Sequence, residues 1–438
     1  MGGCNSNTGS ADYEAAPSSE VKNPNGPKVI LIHGMASCAL DSFVEPVECG
    51  CIRGDDFGCA MPCSYERGKW DQTWINVEEA VTGFARLVNV LKLEPQERKL
   101  KDGTVCTSMD CPRGVKVRPY EGVEGISQLN PKEAIPIPVW KGLTDELDRL
   151  GWNMTAVNYD WRRWGDRAMI EDYVAKFKAR VEAEVGDGPA VPIIGHSMGC
   201  TVVAYCLSVL GTEWTKRYVS RTILVGMVLQ GSPKVIGAFG HAPITFVANL
   251  PFSLPSAVEN IVTSTMSTWP CLITTFPSKV GGTTLAFEED YPFVICPTKK
   301  YTGLDMEGLL EEMGKKVERT QCGIQMWKEW ANVSSRIKPP CVETHVIYGK
   351  GFETAAQLTF PDDDFQGLPK VTRHEDGDDT VTAASTEALC KAWQQDPLTD
   401  LTMHPLEVDH QNLIQGPLSV KLIPKLLTGE AQAIEAAK

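Results

Sequence analysis

Gly195-His196-Ser197-Met198-Gly199 constrains this chain more than any other stretch. It fits the G-x-S-x-G pattern, in which a serine occupies a sharp turn between a strand and a helix. Glycine on both sides leaves room for that turn, and positive φ costs glycine almost nothing. The flanks agree. Ala190-Val191-Pro192-Ile193-Ile194 is a short apolar run of the kind that forms a buried parallel strand. Cys200 to Leu207 reads as the apolar start of a helix resting on the sheet. A strand, a tight turn and a helix in this order make Ser197 a candidate nucleophile with its Oγ thrust outward.

The same alternation runs along the chain. Lys28 to Met35 is an apolar strand entering a glycine turn, 75–100 reads as helical, and Val115 to Arg118 as a short strand. Trp140 to Leu150 is helical by its leucine spacing, with Gly151 as its stop. Met154–Asp160, Thr222–Leu229 and Val342–Gly349 read as strands, and Ile170–Val185 as an amphipathic helix. Alternating strands and helices predict a mostly parallel sheet covered on both faces. With the serine turn, the expected fold class is α/β, an α/β-hydrolase fold. We expect a tail over 1–27, one domain over 28–428 and a short tail over 429–438. Two segments break the rhythm and read as insertions, at about 41–130 and 234–320. The second mixes Pro, Ser, Thr, Phe and Trp as a lid over a site would.

Composition narrows the function. The chain has 438 residues, 42% hydrophobic and 22% charged, ordinary for a globular protein. A net charge of -14 without a basic block argues against a nucleic-acid partner. No stretch approaches the roughly 20 apolar residues that cross a bilayer. The first 28 residues are small and polar and lack the apolar core of a secretory signal, so a reducing compartment and free thiols are the default for the fifteen cysteines. Cys49, Cys51, Cys59, Cys63, Cys106 and Cys111 cluster; local disulfides remain open, but the gaps do not form two clean zinc-binding pairs, and no metal is expected. Met1-Gly2-Gly3-Cys4-Asn5-Ser6 fits the N-myristoylation pattern, with Cys4 a neighbouring palmitoylation candidate. Two lipid signals would hold the chain on the cytoplasmic face of a membrane; the plainer reading is a disordered tail.

A serine nucleophile needs a general base, usually histidine, oriented by a carboxylate. In this fold the order is Ser, acid, His. Of seven histidines, only His241, His345, His374, His404 and His410 follow Ser197. His345 lies mid-strand. His410, in a C-terminal loop, is the candidate base, with His404 the rival. The acid is expected in Glu375-Asp376-Gly377-Asp378-Asp379-Thr380-Val381, a carboxylate-rich glycine turn after a strand; of its three aspartates, Asp378 is favoured because it follows the glycine. Oxyanion donors are expected at the amides of Met198, after the nucleophile, and Met35, after the early strand.

At this point the chain resembles the lecithin:cholesterol acyltransferase family, which includes phospholipid:diacylglycerol acyltransferases and lysosomal group XV phospholipase A2. Tyr159-Asp160-Trp161-Arg162 matches its YDWR block, and Gly195–Cys200 is similar to its GHSLGC. Gly231-Ser232-Pro233, Tyr301–Asp305, Tyr348–Gly351, Glu375–Val381 and Ser385–Cys390 resemble further blocks in the same order. The resemblance implies a triad of Ser197, Asp378 and His410. It implies acyl transfer from a glycerophospholipid, through a serine ester, to a sterol, diacylglycerol or water, with no cofactor. It also implies a membrane-binding region around 49–75, with Trp70 and Trp74 as interfacial anchors, and a lid within 234–290. Three departures stand out. Much of the family is secretory or lysosomal, which makes a lumenal location the alternative to the lipidated one. Lys234 and Val235 replace the tryptophan and glycine that follow Pro233 in the family, and Val346 occupies a position that is cysteine in the plasma enzyme, which leaves Cys390 without that disulfide partner. Asn153 and Asn332 begin glycosylation sequons. A neutral lipase and a catalytically silent lipid-binding protein are the alternative functions.

Overall fold

The computed structural model describes Asn23 and residues 25–45, 68–74, 84–131, 137–241, 256–280 and 291–430. Gly2, Cys4, and the cysteines at 49, 51, 59 and 63 lie outside the described residues, as do parts of both expected insertions.

Six parallel strands form the central sheet, in the spatial order Leu401–Leu406, Glu343–Gly349, Val219–Val225, Val191–His196, Lys28–Ile32, Asn153–Ala156. Val191–His196 is buried at every position, which is why its sequence is apolar throughout rather than alternating. Its Ile193 pairs with Ile30 on one side and Thr222 on the other. Helices Lys141–Arg149, Arg167–Val185, Met198–Leu210, Ala383–Trp393 and Pro417–Thr428 accompany the sheet. This is an α/β-hydrolase architecture. The helix Arg167–Val185 starts where Asp166 Oδ1 accepts the amides of Ala168 and Met169, at 3.0 and 3.4 Å.

Strand order locates the site. From Lys28–Ile32 the chain goes to the edge strand Asn153–Ala156, then returns to the other side of its starting strand at Val191–His196 and continues outward. The C-terminal ends of Lys28–Ile32 and Val191–His196 therefore diverge at a topological switch point, where open parallel sheets bind ligands.

Several boundaries differ from the sequence reading. Over 75–100, the described helix is only Phe84–Leu91. Glu94–Lys99 is instead a strand, paired in a hairpin with Val105–Asp110. Pro95 denies the helix an interior donor, and the Asp102 carboxylate accepts the Thr104 amide at 2.9 Å to close the turn. The strand expected over Met154–Asp160 ends at Ala156, and that expected over Thr222–Leu229 is Val219–Val225. Residues 291–320, expected within the lid, contribute Pro292–Ile295 and Lys300–Thr302 to a separate four-stranded sheet with Phe352–Thr359 and Lys370–Gly377. That sheet delivers the chain to Asp378. Within 41–130, Leu40–Val44 pairs with Trp70–Trp74 and Val115–Pro119 in a three-stranded sheet.

Candidate active site

Ser197 lies between the strand Val191–His196 and the helix Met198–Leu210, with φ 55° and ψ -126°. A non-glycine residue there is strained by about 1–3 kcal/mol, and the surrounding structure must over-determine it. The fixing contacts are close. Ser197 N–H donates to Val225 O at 2.8 Å, and the Cys200 amide donates to Ser197 O at 3.0 Å. A Cβ on Gly199 would lie 2.6 Å from His33 O, and one on Gly34 would lie 2.8 Å from Ser197 Cβ. Both positions admit only glycine without displacing the elbow, so Gly199 serves close approach to the neighbouring strand, and the positive φ expected of the flanking glycines falls on Ser197 itself.

His410 Nε2 is 2.9 Å from Ser197 Oγ, and His410 Nδ1 is 2.8 Å from Asp378 Oδ2. The second carboxylate oxygen of Asp378 accepts the amides of Thr380 and Val381, at 3.0 and 2.6 Å. The His410 amide donates to Asp378 O at 2.8 Å. Asp378 is buried and the His410 ring nearly so. A carboxylate saturated on one oxygen and aimed at imidazole with the other fixes the Nδ1–H tautomer, leaving Nε2 to accept from the serine hydroxyl. The structure thus brings Ser197, His410 and Asp378 into one hydrogen-bonded chain.

The competitors are occupied elsewhere. His404 Nε2 is 3.1 Å from His345 Nδ1, and His345 Nε2 is 3.1 Å from Glu343. Asp376 accepts the Gly351 amide at 2.6 Å, and Asp379 faces Lys234.

Sequence reasoning did not find His196 as a support for His410. It is buried, its ring lies 5.3 Å from that of His410, and its Nε2 is 3.2 Å from His410 O. Burial, with the neighbouring His410, pushes its pKa down to about 3, so it stays neutral and donates to the carbonyl that carries the candidate base.

The loop after Lys28–Ile32 holds Gly34 and Met35 beside Ser197. Its carbonyls are taken one after another. Tyr159 Oη donates to His33 O at 2.8 Å, and His33 Nδ1 donates to Gly34 O at 2.9 Å. Ser37 Oγ donates to Met35 O at 3.1 Å, Trp74 Nε1 to Ala36 O at 3.0 Å, and Trp161 Nε1 to Cys38 O at 3.1 Å. A peptide plane has its C=O and N–H on opposite sides, so the bond from His33 Nδ1 to Gly34 O also fixes the orientation of the Met35 amide. The Met198 amide opens a helix and has no intrahelical acceptor. Tyr159 and Trp161, noted only as members of a motif, are the residues that hold this loop from the adjacent strand end. Arg162, two residues beyond Asp160, pairs with it at 2.6 Å and donates to Val90 O and Leu91 O at 3.2 and 2.9 Å.

Neither indole expected as an interfacial anchor stands free. Trp74 is half-buried in edge contact with Trp161, 5.1 Å between centroids, besides its bond to Ala36. Trp70 is half-buried with the Arg118 guanidinium 4.1 Å from its ring. Asn153 Nδ2 is bound to Asn23 O and Gly26 O, and Asn332 is exposed. Cys106, Cys111 and Cys390 are free thiols. Among the described residues, no group of three or more His, Cys, Asp or Glu side chains is placed to hold a metal, and no helix is long and apolar enough to cross a membrane.

Two expected results follow from this geometry. Tyr159→Phe leaves His33 O unsatisfied, at a cost of about 1–3 kcal/mol. It should lower kcat on a chromogenic ester roughly tenfold with little change in KM; unchanged kcat would separate Tyr159 from the oxyanion loop. The second concerns acid. Burial, the largest cause in each case, lowers the pKa of His33 to about 4, of His196 to about 3 and of His241 to about 4. Below about pH 6.5 the unfolded chain takes up protons that the folded chain refuses, so stability falls as pH drops toward 4. The loss summed over these groups should reach several kcal/mol, checked by urea unfolding at pH 7.0 and 4.5; equal midpoints would contradict it.

The family model described as lecithin:cholesterol acyltransferase matches residues 91–423. The human phosphatidylcholine-sterol acyltransferase is 29% identical over 279 residues, covering 63% of this chain and 58% of its own length. The Gallus gallus protein of the same name is 29% identical over 273 residues, covering 61% and 60%. The chain thus spans somewhat under two thirds of these relatives. Among solved structures it is similar to the Tle4-Tli4 complex, with a TM-score of 0.46 and 12% identity over 91% of this chain and 98% of that one. It is also similar to polyneuridine aldehyde esterase, with a TM-score of 0.29 and 13% identity over 67% and 93%. With its model matched over most of the sequence, the lecithin:cholesterol acyltransferase family is the one to which this chain belongs.

Proposed function

We propose that the chain is a serine-dependent lipid O-acyltransferase or phospholipase. The reading rests on the hydrogen-bonded chain from Ser197 through His410 to Asp378, in a member of this family. His410 Nε2 takes the Ser197 proton as Oγ attacks an ester carbonyl of a glycerophospholipid. The Met35 and Met198 amides donate to the developing oxyanion. The lysophospholipid leaves with the proton from His410, and the acyl group remains as an ester on Ser197. His410 then deprotonates an alcohol, either a sterol or a diacylglycerol, or water, which takes the acyl group and restores Ser197. Asp378 orients the imidazole and stabilises its charged form. No step calls for a cofactor. For a lipid substrate, Gly2 and Cys4 would serve as acyl anchors that bring the enzyme to its membrane.

The test is product analysis on mixed vesicles. Purified protein receives phosphatidylcholine labelled in one acyl chain, with cholesterol and diacylglycerol, beside Ser197→Ala. Label in steryl ester or triacylglycerol identifies a transferase and its acceptor. Label in free fatty acid alone identifies a phospholipase. Turnover of triacylglycerol but not phospholipid would replace this reading with a neutral lipase, and lipid binding without turnover would replace it with a silent binding protein.

A further inference from the structure

We propose that Lys234 is a positioning residue for the candidate acid, holding the Asp378 loop in register with His410. The inference rests on the function proposed above and adds a residue to its machinery.

The loop that presents Asp378 is under tension. It leaves the strand Lys370–Gly377 and reaches the helix Ala383–Trp393 within a few residues. Asp379 takes φ 74°, a left-handed conformation that non-glycine residues adopt only at a cost. Bonds within the loop do not account for it alone. The Asp378 carboxylate accepts from Thr380 and Val381, which shapes the turn but does not place it relative to the rest of the molecule.

External ties do that. The Asp379 amide donates to Thr354 Oγ1 at 2.9 Å. Ser232 Oγ donates to Thr380 O at 2.5 Å. Lys234 Nζ donates to Asp379 O at 3.1 Å and to Asp379 Oδ2 at 3.2 Å. Ser232 and Lys234 belong to the cap and first turn of the helix Pro233–Gly240, which follows the central strand Val219–Val225. Lys234 therefore ties the acid loop, which arrives from the four-stranded sheet, to the central sheet that carries Ser197.

The Lys234 side chain is 12% exposed and that of Asp379 36%. A mostly buried ammonium with a carbonyl and a carboxylate of one residue as acceptors is a directional clamp rather than a surface ion pair. Freed from it, the strained turn at Asp379 can relax toward ordinary backbone, and Asp378 moves with its neighbour. Displacements of about 1 Å in such groups can cost about a hundredfold in rate. The clamp acts on the placement of Asp378 against His410, so the expected effect is in kcat.

The experiment compares wild type, Lys234→Gln, Lys234→Arg, Asp379→Asn and Ser197→Ala. Each is assayed for kcat and KM on a short-chain chromogenic ester, for the rate of labelling by a fluorophosphonate, and for melting temperature. We expect Lys234→Gln to lose about ten- to hundredfold in kcat and in labelling rate, with KM within about twofold. Lys234→Arg restores most of the loss, because a guanidinium keeps both bonds. Asp379→Asn tolerates the left-handed turn and keeps the carbonyl acceptor, so its loss is smaller but still in kcat. That variant decides the matter if Lys234→Gln does not fold. Normal kcat in folded Lys234→Gln, or no rescue by arginine, overturns the proposal. Activity retained by Ser197→Ala would instead overturn the functional reading, so the two failures are distinct.

Discussion

Replacing Ser197 with alanine should lower kcat by roughly a millionfold on any ester the enzyme turns over, leaving only what the oxyanion donors and binding supply. His410→Ala should cost about as much, because His410 Nε2, 2.9 Å from Ser197 Oγ, is its proposed base. The double variant should be no worse than either single one, since the two residues act as a unit. Asp378→Asn is expected to lose about ten thousandfold. Its amide would present N–H to His410 Nδ1 or give up the amides of Thr380 and Val381, and in either arrangement the imidazole loses its tautomer or its orientation. Steady-state kinetics on a chromogenic ester check all four. Additive losses in the double variant would mean that His410 acts through something other than Ser197.

Gly199→Ala should cost the fold rather than the rate. A Cβ there would collide with the carbonyl oxygen of Ile32 and lie 2.6 Å from that of His33. Both are backbone atoms of the neighbouring central strand and its exit, and neither can swing aside. Overpacking against rigid backbone costs about 3 kcal/mol or more, and urea unfolding should show it as a lowered midpoint with unchanged slope. Gly34→Ala makes the contrast. Its Cβ would meet Ser197 Cβ at 2.8 Å and His196 O at 2.9 Å. Gly34 lies past the last paired residue of Lys28–Ile32, so the clash can be relieved by moving the loop rather than the sheet, and the expected result is a folded protein with badly placed oxyanion donors. A Gly199→Ala protein as stable as wild type would contradict the close approach of the helix Met198–Leu210 to the end of the strand Lys28–Ile32.

Sequence read the central sheet well because burial on both faces writes itself as unbroken apolar runs. Val191–His196 and Glu343–Gly349 were legible for that reason. The four-stranded sheet was not: Lys370–Gly377 is mostly exposed and polar, and its pairing with Phe352–Thr359 depends on partners near in space, not on a period. The hairpin Glu94–Asp110 was missed in the same way, its first strand being six largely exposed residues, five of them polar. At the candidate site, chain order and glycine spacing singled out Ser197, Asp378 and His410, and the structure brings those side chains together. The holding residues were illegible. Tyr159 and Trp161 serve the Met35 loop through single polar atoms on otherwise apolar side chains, and no spacing signals which carbonyl such an atom will meet. Lys234 was visible only as a departure from the family block; that its ammonium meets Asp379 emerges from two chain segments about 145 residues apart.

The central claim is an acyl ester on Ser197. Enzyme mixed with phosphatidylcholine vesicles and quenched in acid within the first turnover should, on proteolysis and mass spectrometry, show one fatty acyl group on the peptide containing Ser197. Ser197→Ala should show none and turn over no lipid. An acyl group on a different residue, or turnover by Ser197→Ala, would contradict the account.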